Sequence, residues 1–177
     1  FDKGKSDLEL VEKFKKAGYK IKINIIATDL FISRLSCYER EVRMLQDGDT
    51  PTGISKETQD RMYNSFVKEI EQLEKLGYCD EINVYTRGKN INKPQLVYKL
   101  GDKNYNSFKE ALVEERNKQR KQILSNPIEY LERIKSAKNS ILQNGVNEIL
   151  TKNSLKGLEE LQRDFIEELS KENEVER

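Results

Sequence analysis

Residues 18–27, Gly18-Tyr19-Lys20-Ile21-Lys22-Ile23-Asn24-Ile25-Ile26-Ala27, decide the fold class. Tyr19, Ile21, Ile23 and Ile25 alternate with Lys20, Lys22 and Asn24, the period of a strand, and Ile26-Ala27 then makes it apolar on both faces. Upstream, Leu8, Val11 and Phe14 recur at helical spacing, Ser6 and Glu9 form an S-x-x-E capping box, and Gly18 stops the helix. A helix feeding such a strand reads as the second half of a βαβ crossover, which implies at least one earlier strand. The chain opens on Phe1 rather than Met, so it is expected to start inside a longer product.

Downstream the pattern stays mixed. A helix is expected over residues 30–46, with Phe31, Leu35, Tyr38, Val42 and Leu45 along one stripe and a stop at Asp47-Gly48. Ser33, Ser36, Cys37 and Arg40 share another face, small or hydroxyl side chains around one guanidinium. Residues 46–54, with Gly48, Pro51 and Gly53, read as a loop or lid edge, in which Thr50 and Thr52 add polarity. Ser55 caps a long helix to Leu76, with Met62, Phe66, Ile70 and Leu73 facing the core and Gly77 as its exit. Two short strands follow, one through Ile82, Val84 and Tyr85-Thr86, the other through Leu96, Val97, Tyr98 and Leu100, joined as an open hairpin. From Asn104 the strand signals end. Ser107 and Glu110 make a capping box, Asn126-Pro127 opens a helix that Asn144-Gly145 breaks, and Leu155, Leu158, Leu161, Phe165 and Leu169 line a last helix that frays from Lys171.

Composition removes whole classes of chemistry. The 177 residues contain no His, which excludes a Ser-His-Asp or Cys-His site, a His-ligated zinc and an imidazole proton shuttle within the chain. Cys37 and Cys79 stand far apart without C-x-x-C spacing, so a reducing cytoplasm fits best. Lys+Arg 32 against Asp+Glu 31 gives a formal charge of +1, so a nucleic acid or an anionic membrane would need a local patch. The longest apolar stretch, around Ile25-Ile26-Ala27, is far below the ~20 residues of a membrane helix.

Four motifs are weighed. Gly4-Lys5-Ser6 matches the end of a Walker A loop, but no strand precedes it, and the capping box already explains Ser6. Arg40 carries a permanent, forked charge suited to a transferring phosphate, with an exposed partnership to Glu39, Glu41 or Gln46 as its alternative. The run of residues 116–121, Arg-Asn-Lys-Gln-Arg-Lys, is the best local case for nucleic acid, yet it follows two glutamates and its cations spread around a helix, so a solvated face is preferred. Asp29, at the strand end, reads equally as a helix cap or a catalyst. The residues alone reach an α/β chain with a candidate anion site, and no reaction.

Residues from about Lys15 to Leu100 resemble the C-terminal half of the zeta toxins, P-loop kinases of toxin–antitoxin systems. The matching features are Ala17-Gly18-Tyr19-Lys20-Ile21 leading into Ile25-Ile26-Ala27-Thr28, then Leu35-Ser36-Cys37-Tyr38-Glu39-Arg40. Ile54-Ser55-Lys56-Glu57-Thr58-Gln59-Asp60 looks like the family's P-K-E-x-H-D segment, and Asp80-Glu81-Ile82-Asn83-Val84-Tyr85-Thr86-Arg87 like its strand ending in Tyr-x-Arg. The resemblance implies an α/β chain, the C-terminal part of a P-loop kinase three-layer fold over residues 1–103, with a mainly helical C-terminal extension over residues 104–177.

It also implies transfer of the ATP γ-phosphoryl group to UDP-N-acetylglucosamine or a related nucleotide sugar, with ATP and Mg²⁺ as cofactors and an antitoxin protein as partner. By that analogy Arg40 contacts the ATP phosphates and stabilises the transferring group. The family's second arginine falls on Gly53 here, with Arg43 or Lys56 as its substitute, and Arg87 at the end of the Tyr-x-Arg match is a further candidate for ATP binding. The family's His before Asp60 is Gln59. Its P-loop, metal-binding residue and catalytic aspartate all precede the matching segment, so this chain alone is expected to be inactive. Two other classes stand beside the kinase: a non-catalytic helical module that binds a partner protein or antitoxin, and a nucleic-acid adaptor using residues 116–121.

Overall fold

The computed structural model describes residues 7–51, 53, 55–87, 93–144 and 148–175. The Ser6 cap, Thr52, Ile54, the middle of the hairpin connection and Gly145 lie outside them. The described elements are α1 (Asp7–Lys16), β1 (Lys22–Ala27), α2 (Leu30–Gln46), α3 (Lys56–Lys75), β2 (Glu81–Thr86), β3 (Gln95–Lys99), α4 (Phe108–Ser125), α5 (Pro127–Asn144) and α6 (Glu148–Val175). The fold is therefore α/β with helix in the majority. Helices α1 and α3 both end where Gly18 (φ 84°) and Gly77 (φ 68°) supply the left-handed residue. The next amide then reaches back inside each helix, from Tyr19 to Phe14 and from Tyr78 to Leu73, both at 3.0 Å.

Packing groups the chain into two units, each discontinuous in sequence: Phe1–Thr28 with Arg61–Asn117, and Asp29–Asp60 with Lys118–Arg177. The division at residue 103 follows resemblance rather than packing.

In the first unit β1 lies parallel to β2, from Lys22 opposite Glu81 to Ala27 opposite Thr86, so β1 opens a crossover to a later strand, while the earlier strand expected before α1 is not among the described residues. Strand β3 returns antiparallel to β2, with a bulge between Val84 and Tyr85. Ile25, Ala27, Ile82, Val84 and Tyr98 pack against Ile70 of α3 and Phe108, Ala111 and Leu112 of α4. Two expectations fail here: Ile26 is 54% exposed and Met62 57%, because among the described residues no layer covers these side chains. The capping box at α4 also differs in detail. Ser107 Oγ accepts from the Glu110 amide at 3.2 Å, whereas the Glu110 carboxylate reaches the amide of Asn106 at 2.7 Å, one residue before the cap.

The second unit is helical. Phe31, Leu35 and Tyr38 of α2 pack against Tyr130, Ile134, Ala137 and Ile141 of α5 and Leu158, Leu161 and Phe165 of α6. Phe31 and Phe165 meet edge to face at 5.3 Å, and the Tyr130 hydroxyl donates to the Phe31 carbonyl at 2.8 Å. Burying each such large side chain contributes ~1.5–3 kcal/mol, and seven of the ten buried residues of this core come from the helical tail. Helix α6 continues to Val175, past the Lys171 where fraying was expected, and Pro51 is buried rather than free in its loop. Both cysteines are free thiols.

Candidate functional site

Helix α2 carries the chemistry that the sequence singles out, and its start explains its placement. Asp29 caps it: Oδ1 accepts from the Phe31 amide at 2.8 Å, and the residue is 2% exposed. Its other oxygen takes Arg120 Nε at 2.7 Å, while Arg120 Nη1 bonds Glu168 at 2.8 Å and the guanidinium lies 4.5 Å from the Phe31 ring centre. The cap accounts for one oxygen of Asp29 and the Arg120 ion pair for the other.

Along the same helix the structure separates two kinds of arginine. Arg34, which sequence reasoning passed over, is 8% exposed and neutralised. Its Nη2 pairs with Asp60, its Nη1 lies 3.4 Å from Asp164 Oδ2, and Lys56 Nζ closes on the same oxygen at 2.6 Å. Two cations and two carboxylates thus balance, with only Arg34 Nε left without a partner. Lys56, one of the expected ATP contacts, is committed to this network.

Arg40 is exposed, and among the described residues it has no hydrogen bond or ion pair. The acidic partners that a plain surface arginine would use are taken. Glu39 is held in a fork by Arg133, with Nε and Nη2 both at 2.9 Å, and Glu41 is buried, accepting from Ser154 Oγ at 2.7 Å. Arg43 is also exposed, in the last turn, where a cation faces the carbonyl end of the helix. Arg40 and Arg43 therefore share one helix, three residues apart, as two guanidiniums open to an anion. The clefts around Lys138 and Ile166, around Glu41 and Ser154, and around Leu45 and Pro51 include neither of them. Arg87 belongs to the first unit, half-buried where the chain leaves β2, with contacts of its own.

The zeta toxin family model matches residues 2–94, just over half of the 177 residues. The chain belongs to the zeta toxin family. No curated protein matches it. The matched segment contains α2, Arg40, Arg43, Lys56 and Arg87. Zeta toxins form a kinase-like toxin family.

Among the described residues, no group of three or more carboxylates or thiols is arranged to hold a metal ion. No helix among them is long and apolar enough to cross a membrane. In the basic run, Arg116 stacks on Tyr63 with its guanidinium 3.7 Å from the ring centre, Arg120 is bound as above, and Lys118 has contacts of its own, so at least three of its four cations are occupied.

A signal for the missed residues was present. Arg34, Tyr38 and Glu41 follow one another at four and three residues, beside the apolar stripe of Phe31, Leu35 and Val42. Counting only apolar residues hides polar ones on a buried face. Their distant partners Asp164 and Ser154 carry no such local mark.

Proposed function

We propose that this chain supplies the phosphate-contacting part of an ATP-dependent zeta-type kinase of a toxin–antitoxin system. Its acceptor would be a hydroxyl of UDP-N-acetylglucosamine or a related nucleotide sugar. The observation that carries the reading is the open guanidinium of Arg40, inside the family-matched segment and on a helix whose other central arginine is neutralised. In phosphoryl transfer the protein contributes positioning and charge compensation, and a forked, permanently charged donor does both. Arg40 contacts the transferring phosphate oxygens, and Arg43 adds a second positive charge one turn away. Lys56 and Arg87, each held by its own partners, shape the field without direct contact. The sequence has no complete G-x-x-x-x-G-K-[ST] loop, so the chain by itself is inactive, and ATP binds only where a phosphate cradle completes the site.

The test is phosphoryl transfer from ATP to UDP-N-acetylglucosamine by the full-length protein and by its Arg40→Ala variant. Turnover should fall by roughly 10²-fold or more, the scale of a lost transition-state charge stabiliser, with the thermal midpoint unchanged because Arg40 is exposed. Equal turnover in both would remove Arg40 from the mechanism.

One observation favours a second reading, a helical module that binds a partner protein such as an antitoxin. Helices α5 and α6 expose Ile128 (68%), Leu142 (63%) and Ile149 (72%). Replacing these three with Ser should weaken partner binding in a titration if this surface is used, and leave phosphoryl transfer intact.

A further inference from the structure

Beside the α2 arginines, but not including them, a cleft of about 340 Å³ opens in the second unit between α2, the chain at residues 53–57 and the first half of α6. Its floor holds Glu41, which is 5% exposed. One carboxylate oxygen accepts from Ser154 Oγ at 2.7 Å. Among the described residues the other oxygen has no hydrogen-bond partner, and no cation pairs with Glu41. A buried carboxylate with a single neutral hydroxyl for company is poorly compensated.

The two ammonium groups in the lining do not supply the missing charge. Lys56 is bound to Asp164 at 2.6 Å, and Lys156 leans toward Glu160 at 3.9 Å. With Glu57 also in the lining, the cleft carries more negative than positive charge. Gly53 packs near this second oxygen, where an added Cβ would lie 3.7 Å away in van der Waals contact, so the glycine keeps a side chain off the carboxylate. A second cleft of about 230 Å³ shares Leu150 and Ser154 with the first and continues it along Leu45, Pro51 and Ile141. Charge sits at one end and apolar surface at the other.

We propose that this pair of clefts binds a small alkylammonium, its N–H donors on the Glu41 carboxylate and its hydrocarbon chain along Leu150 and Ile141. A divalent metal is not the complement, since no third ligand joins Glu41 in a metal-binding group among the described residues. The charged group and the short apolar arm select a primary amine over a neutral alcohol of the same shape.

The test uses the full 177-residue chain and n-butylammonium as the probe, with n-butanol and tetramethylammonium as controls that lack the charge or the donors. Titration followed by amide chemical shifts should show saturable binding of n-butylammonium at millimolar concentration, with the changes centred on Glu41, Leu150 and Ser154. Both controls should bind at least about tenfold more weakly, and Glu41→Gln should lower n-butylammonium affinity about tenfold or more. Leu150→Trp, which fills the apolar arm, should also abolish binding, and it decides the matter if Glu41→Gln does not fold. Equal binding of n-butanol, unchanged affinity in both variants, or no saturable shift in the wild-type chain would each overturn the assignment.

Discussion

At position 157 a Cβ would lie 2.0 Å from the Tyr38 hydroxyl oxygen and 2.8 Å from Cζ of the same ring. Tyr38 is 7% exposed and wedged in the helical core, so the ring cannot yield freely. Helix α6 therefore tolerates a glycine in its interior, which intrinsic propensity alone would disfavour by ~0.5–1 kcal/mol. Gly157→Ala is expected to destabilise by about 1–3 kcal/mol in denaturant unfolding, overpacking outweighing the propensity gain, and by less in a Tyr38→Phe background. Burial, with Glu41 as the nearest added negative charge, pushes the Tyr38 phenol up to about 12 from 10.0. The neutral ring is thus favoured by folding: its contribution is complete below pH 10 and is lost as pH rises toward about 12. Thermal midpoints should fall more steeply over that window in the wild type than in Tyr38→Phe, a contribution of about 2–3 kcal/mol at most.

Helices α2, α3 and α6 are tied within the second unit by the ion network of Arg34, Asp60, Lys56 and Asp164. Arg34 is the only member with a side chain as little as 9% exposed; Asp60 and Asp164 retain 35% and 26%. Removing the buried partner leaves two carboxylates facing each other, so Arg34→Ala should cost about 2–3 kcal/mol, discounted from the fully buried case for the water that reaches the carboxylates. Lys56→Ala, at a site 37% exposed, should cost under about 1 kcal/mol, and the two can be compared by urea midpoint at constant slope. The elements themselves were legible before their ties. Helix α2 spans the expected residues 30–46, and Leu158, Leu161 and Phe165 face the core as their spacing requires. Local periodicity determines both. What it does not contain is the pairing of Arg34 with a carboxylate 130 residues away.

As a whole, the molecule divides along lines that the linear sequence does not mark. The sheet of the first unit needs Phe108, Ala111 and Leu112 from α4, and the core around α2 needs Tyr130, Ile134, Leu158 and Phe165 from the last two helices. A fragment of residues 1–103 therefore lacks three of the nine buried residues of the first core and seven of the ten of the second. It is expected to melt without a cooperative transition by circular dichroism, where the full chain shows one; a cooperative melt of the fragment would contradict the packing described. The sequence by itself determined the α/β class, the helix and strand positions and the absence of imidazole chemistry, because these depend on composition and on periods of two and 3.6 residues, and it carried the family through the resemblance of its segments in order. Tertiary structure alone decided which charges are spent and which stay open. Arg34 and Arg40 look alike in sequence, yet one is neutralised by residues from two other helices and the other is left to solvent, and only three-dimensional proximity sets that difference.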